Sequence, residues 1–210
     1  EVEYQDKTSN SIDVRYRVVD QDVWNTAFGC NTDLPISVVI WTTTPWTLPS
    51  SQAVSVHAEL DYVLVQVNGE CQVFAKDLLA QAMQRYGIED YQVLGEAKGQ
   101  VLERFAVQHP FIEGFQVPVI LGDHVTTEAG TGNVHTAPDH GVDDFNVGRA
   151  YGIDTLNLVD DNGVYVDAAG EFAGAHVYKV DDQVIEALKA HNNLVFQTKI
   201  THSYAHCWRT

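Results

Sequence analysis

Short β-rich runs set apart by turn-forming residues constrain this chain more than any other feature. They fall at residues 12–19, 36–42, 62–67, 72–75, 91–94, 117–121 and 134–136. Their lengths and their Val, Ile and Tyr content are those of strands, and Gly, Asn and Asp between them mark turns. Asn68-Gly69 separates two such runs, which predicts a hairpin with a type I′ turn. Helical periodicity is confined to three stretches. Residues 76–86 place Leu78, Leu79, Ala82 and Met83 on one face and stop at Gly87. Residues 142–151 stop at Gly152 in the same way, and residues 180–190 carry Val184, Ile185 and Leu188. There is no internal repeat, low-complexity segment or interdomain linker, so the pattern predicts one β-rich α+β domain.

The chain has 210 residues, 45% apolar and 20% charged, which suits one sizeable core and not a disordered polymer. No apolar run approaches the roughly 18 residues that a membrane span needs, and no signal-peptide pattern opens the chain. Cys30, Cys71 and Cys207 are odd in number and widely spaced, which points to a reducing compartment and away from a structural zinc site. A start at Glu1, one internal Met83 and no tail-like end read as a domain excised from a longer protein, occupying residues 1–210.

Twenty-nine acids against 12 Lys and Arg give a formal charge of −17. Nucleic-acid binders draw much of their affinity from phosphate neutralisation, so any such contact here has to be local. The last fifteen residues, with Lys199, Arg209, His202 and His206 and no acids, are either a solvated tail or a connector near a nucleic-acid path.

Residues 41–49, WTTTPWTLP, put several hydroxyl groups on one short stretch after an apolar run. If Thr42, Thr43 and Thr44 continue the strand, Thr42 and Thr44 share a face and Thr43 points away. Pro45 has no N–H and restrains Thr44 to extended geometry, so regular pairing ends there. By itself the segment reads first as a strand end rich in β-branched residues.

Residues 130–144, GTGNVHTAPDHGVDD, form the second unusual stretch. Gly130, Thr131 and Gly132 permit positive φ or close approach to a ligand, or an ordinary turn, but lack phosphate-loop spacing. His135 ends a predicted strand as a structural residue or a site residue. Asp143 and Asp144 begin a predicted helix, where a carboxylate can cap free N–H groups. Successive helical residues diverge by about 100°, so the two acids do not face one pocket. His135, Asp139, His140, Asp143 and Asp144 can also be read as a metal cluster, although the His-x4-His spacing across Pro138 and Gly141 matches no established helical signature.

Together the two stretches resemble the editing domain of bacterial-type isoleucyl-tRNA synthetases. The likeness extends to VEYQDKTSNSIDVRY at the start, DYVLVQV and KDLLAQAMQRYG in the middle, and HSYAHCWR at the end. Valyl and leucyl relatives carry Thr-Thr-Arg-Pro-(Glu/Asp)-Thr in the first motif. Here Thr44 stands at the Arg position and Trp46 at the acid position, which points to the isoleucyl branch.

The resemblance implies a β-barrel core with helices packed around it. Residues 1–20 and 196–210 would connect to a synthetase body, which would hold the ATP and Mg chemistry. Nothing here resembles the His-Ile-Gly-His or Lys-Met-Ser-Lys-Ser signatures, so aminoacylation is not expected of this chain. The implied activity is ester hydrolysis of valyl-tRNA(Ile) in the cytoplasm, without a cofactor or metal in this domain. Thr42, Thr43, Thr44 and Thr47 would orient water and the terminal ribose, while Asp144 would hold the α-ammonium. His135, Gly132 and Trp46 would line the amino-acid pocket, with His135 excluding isoleucine instead of acting as a base. Asp139 and Ser51 depart from the family pattern, where Gly and Asn are usual. The competing expectations are a metal-dependent hydrolase built on the His135, His140 and Asp cluster, or an acidic binding module without turnover.

Overall fold

The computed structural model describes the backbone over residues 2–207 and side chains over residues 10–199. Ten strands and four α-helices follow in the order β1 (Val2–Arg17), α1 (Gln21–Phe28), β2 (Ile36–Thr42), β3 (Ala53–Val56), β4 (Asp61–Val67), β5 (Glu70–Ala75), α2 (Leu79–Tyr86), β6 (Gln92–Lys98), β7 (Ala106–Gln108), β8 (Gln116–Leu121), β9 (Val134–Thr136), α3 (Val142–Ala150), α4 (Asp181–Ala190) and β10 (Leu194–Cys207). The fold is the β-rich α+β class expected. Each predicted run overlaps a strand, with residues 18, 19 and 91 falling outside, and Asn68 and Gly69 both take positive φ, 51° and 80°, as a type I′ turn requires. Gly87 and Gly29 end their helices in the left-handed conformation.

The strands form a six-stranded sheet, β10-β1-β2-β5-β4-β6, and a four-stranded sheet, β7-β8-β3-β9. Their inward residues make one main core that includes Ile12, Val14, Tyr16, Ile40, Leu48, Val54, Leu64, Val73 and Val119. A smaller cluster of Val39, Val63, Val65, Phe74 and Met83 lies under α2 on the other face of the larger sheet. The strand alternation explains the split, because Val38 and Ile40 face one way and Val39 the other.

Barrel closure, expected from the resemblance, is not shown: both sheets are open. The reason lies at β9, which spans three residues between the positive-φ glycines at 130 and 132 and Pro138. So short a strand pairs with β3 alone and makes no ladder with the larger sheet. A side chain takes the ladder's place. Parallel pairing of β2 with β5 stops at Val38–Val73, and the Asn133 amide inserts where the strands part. Its Nδ2 donates to Val39 O (2.8 Å) and Val73 O (2.9 Å), while Ala75 N donates to Thr131 O (2.8 Å). An isolated bridge from Val18 to Val107 links the two sheets elsewhere.

The end segments pair with each other as β1 and β10, from Val2–Cys207 to Val14–Leu194. The side chains of His202, His206 and Cys207, and all of Arg209, lie outside the described residues. Cys30 and Cys71 are free thiols, and burial pushes both upward in pKa.

Candidate active site

The threonine segment leaves the sheet two residues earlier than a strand continuing through Thr44 would. Regular pairing ends at Thr42, and Pro45 opens a 3-10 helix, Pro45–Ser50. Thr42 and Thr44 still meet, but through a turn: Thr44 N donates to Thr42 Oγ1 (3.0 Å), and the two hydroxyls are 3.3 Å apart. Thr44 is exposed, Thr43 half-buried, and Thr42 buried. The 3-10 helix is held from behind. His109 Nδ1 accepts from Phe111 N and Ile112 N, so its Nε2 carries the proton and donates to Leu48 O (2.8 Å). Tyr165 donates to Trp46 O, and buried Ser51 pairs with Tyr16 Oη (2.6 Å). The Ser51 hydroxyl is therefore engaged with the core.

From this scaffold Thr47 reaches the second motif. Its hydroxyl donates to Thr44 O (2.9 Å), which leaves its oxygen to accept from His135 Nε2–H (2.8 Å). The tautomer follows, with the proton on Nε2 and a bare lone pair on Nδ1. That Nδ1 is buried and has no partner among the described residues. Burial, with His109 and His140 nearby, pulls the His135 pKa from 6.5 down to about 3. Such a ring stays neutral near pH 7 and is poorly matched to general-base work there.

The 3-10 helix touches the motif a second time. Trp46 packs edge-on against His140 (4.9 Å between centroids), whose Nε2 lies 3.2 Å from Ser50 Oγ. Asp144 Oδ2 accepts from Ala137 N (3.0 Å), pinning α3 to the end of β9. Burial raises the Asp144 pKa, opposed by the Ala137 N–H and by His124 and His140. Asp143 is exposed, and the N-terminus of α3 at Gly141 has no side-chain cap. Asp143 therefore faces solvent and does not cap the helix.

Both motifs wall a cleft of about 380 Å³. Trp41, Thr42 and Thr43 line it together with Gly130–Val134, and His124 lines the same space. Gly132 cannot be replaced without moving backbone: its φ is +81°, and an added Cβ would fall 2.3 Å from Ala75 Cβ. Its carbonyl accepts from Tyr62 Oη (2.6 Å). Thr44, Trp46, Thr47, His135 and Asp144 are not among the residues that line the cleft; Thr47 and His135 are buried beside it, and Asp144 stands at the start of α3. The runner-up metal cluster does not converge: among the described residues no three His, Cys, Asp or Glu side chains are grouped to hold an ion.

Sequence reasoning missed His124, Asn133 and His109. His124 had a local signal, standing in the same loop as the glycine motif. Asn133 and His109 had none, because their partners come from distant strands.

Residues 24–199 match the family "Leucyl-tRNA synthetase, editing domain". Over its whole length the chain is 60% identical to the isoleucine–tRNA ligase of Marinomonas sp. (strain MWYL1) and 56% identical to that of Teredinibacter turnerae. It spans only 23% and 22% of those proteins. Among solved structures it resembles GlLeuRS-CP1, with a TM-score of 0.73 at 15% identity over 90% of this chain and 98% of that one. The cytosolic leucyl-tRNA synthetase editing domain of P. knowlesi gives 0.71 at 10% identity, covering 92% and 97%. At such identities the structural likeness speaks to fold alone, whereas the sequence match extends through both motifs. The chain belongs to the editing-domain family of the aminoacyl-tRNA synthetases, and its high sequence identity is to isoleucine–tRNA ligases.

Proposed function

We propose that this chain hydrolyses the ester linking valine to the 3′ end of tRNA(Ile), as the proofreading part of a cytoplasmic isoleucine–tRNA ligase. One methylene is worth roughly 1–3 kcal/mol to a binding pocket, while translation needs discrimination of about 10⁴–10⁵. A synthetic site cannot separate valine from isoleucine by that margin, so a second site must destroy the product of misactivation. The observation that carries the reading is the cleft between Thr42, Thr43 and the glycine loop, backed by Thr47 and His135.

The chemistry needs an oriented water, a held ammonium and a pocket that turns isoleucine away. Thr42 and Thr43 line the cleft and orient the water and terminal ribose, and Thr44 and Thr47 fix their turn. Gly132 forms part of the pocket wall, Trp46 braces the site through its packing on His140, and Asp144, at the start of α3, anchors the ammonium. His135, neutral and buried, limits pocket size. With no strong base at hand, positioning of water and help from a ribose hydroxyl carry the rate. The tRNA contact is local on an acidic surface, and the synthetase body supplies the rest of the affinity along with ATP and Mg.

Deacylation of valyl-tRNA(Ile) set beside isoleucyl-tRNA(Ile) tests the proposal. Rapid hydrolysis of the first and sparing of the second is the expected result. A chain that binds charged tRNA and turns over neither is the acidic binding module instead.

A further inference from the structure

One imidazole at the cleft came from neither motif. His124 lines the space shared by Thr42 and Thr43, and its Nε2 is buried without a hydrogen-bond partner among the described residues. A buried ring nitrogen left unpaired costs stability, so its persistence at a cleft calls for a ligand group that it meets in use. The ring also has a purpose-shaped seat. A Cβ on Gly122 would lie 2.5 Å from His124 Cε1 and 2.7 Å from Nδ1, so a side chain there would displace the imidazole. The same absent Cβ would stand 3.5 Å from Val147 Cγ2. Val147 follows Asp144 by three residues on α3 and so shares its face. His124 therefore packs toward the side of α3 that bears Asp144.

We propose that His124 is a second contact for the substrate's α-ammonium, its Nε2 accepting one N–H while Asp144 accepts another. An ammonium presents three donors, and Asp144 Oδ2 is already engaged by Ala137 N, so one carboxylate does not satisfy the group. The ring accepts at Nε2 in the tautomer that carries its proton on Nδ1. Two acceptors from different elements fix the ammonium's direction as well as its place, which orients the ester relative to Thr42 and Thr43. This inference rests on the cleft being an editing site with Asp144 as ammonium anchor.

Two non-hydrolysable probes separate the parts: adenosine carrying valine through a 2′-amide, and its isovaleryl counterpart without the amine. Calorimetry on this chain reads the affinity ratio of the two, and thermal unfolding verifies that each variant is folded. Wild type should prefer the valyl amide at least about tenfold, as a charge-assisted hydrogen bond allows. His124→Phe keeps a flat ring without an acceptor and should cut that preference about tenfold, leaving isovaleryl binding unchanged. His124→Leu takes its place if the Phe variant does not fold. His124→Gln, whose amide oxygen accepts, should restore the preference to within about threefold. An unchanged ratio in His124→Phe beside a lost ratio in Asp144→Asn overturns the His124 contact alone. Equal weakening of both probes makes His124 structural and overturns it too. Absence of any preference in wild type overturns the Asp144 anchor itself, and the inference with it.

Discussion

Thr47 and His135, 88 residues apart in the chain, are joined by a 2.8 Å hydrogen bond inside the protein. Because Thr47 spends its only proton on Thr44 O, the bond fixes which nitrogen of His135 carries hydrogen. Replacing Thr47 by Val keeps the shape and leaves His135 Nε2–H buried without an acceptor. The expected cost is about 1–3 kcal/mol in denaturant unfolding, and Thr47→Ser should recover most of it. Equal stability of Thr47→Val and wild type would show that the bond is not the anchor described.

His135 guards pocket size in our reading, so His135→Ala should create hydrolysis of isoleucyl-tRNA while valyl-tRNA remains a good substrate. Steady-state deacylation of both species decides the matter. A parallel loss on both makes the residue catalytic or purely structural.

The adjacent acids offer a controlled comparison, since both changes remove one negative charge from nearly the same place. Asp144→Ala should lower deacylation by about 10- to 100-fold, the worth of a charge-assisted hydrogen bond. Asp143→Ala should leave both rate and unfolding temperature near wild type, because Asp143 is exposed and caps nothing. Equal rate losses would point to a general field effect and remove Asp144 from its role.

Acid should weaken the fold through its buried histidines. His135 and His109 are held at about 3 and about 4, below the 6.5 of the unfolded chain. Each contributes stability that is complete above pH 6.5 and is lost as pH falls toward its folded value. At pH 5 each has surrendered about 2 kcal/mol, because the unfolded chain takes up the proton first. His135→Gln should therefore flatten the stability profile between pH 8 and pH 5 by about that amount. An unchanged slope in urea titrations would mean that His135 is protonated in the folded state.

Dialysis against a chelator should leave deacylation of valyl-tRNA intact, since among the described residues His135, His140 and the neighbouring aspartates do not converge on an ion site. Loss of activity that returns with added zinc would revive the metal-dependent alternative.

Local signals were readable where one segment sets its own conformation. The strand at 36–42, the Asn68-Gly69 turn and the helix stop at Gly87 are all decided by neighbours in sequence. Strands β3 and β7 escaped notice because Ala53–Val56 and Ala106–Gln108 are too short for periodicity to register. Helix α1 escaped because one turn of amphipathic signal around Trp24 is hard to distinguish from loop. At the site, the meeting of Thr42 with Thr44 was anticipated from strand alternation, yet it arises from a turn. The Thr47–His135 contact could not be read from either segment, since it depends on how the sheets are stacked.

Asn133 has a consequence for binding as well as for the fold. Its amide is committed to two strands, Gly132 O is held by Tyr62, and Thr131 O by Ala75 N. The glycine loop is thus clamped on its inner side although its glycines allow wide backbone freedom. A ligand entering the cleft meets a wall that is already rigid, so little ordering entropy is lost on binding and more of each contact appears as affinity.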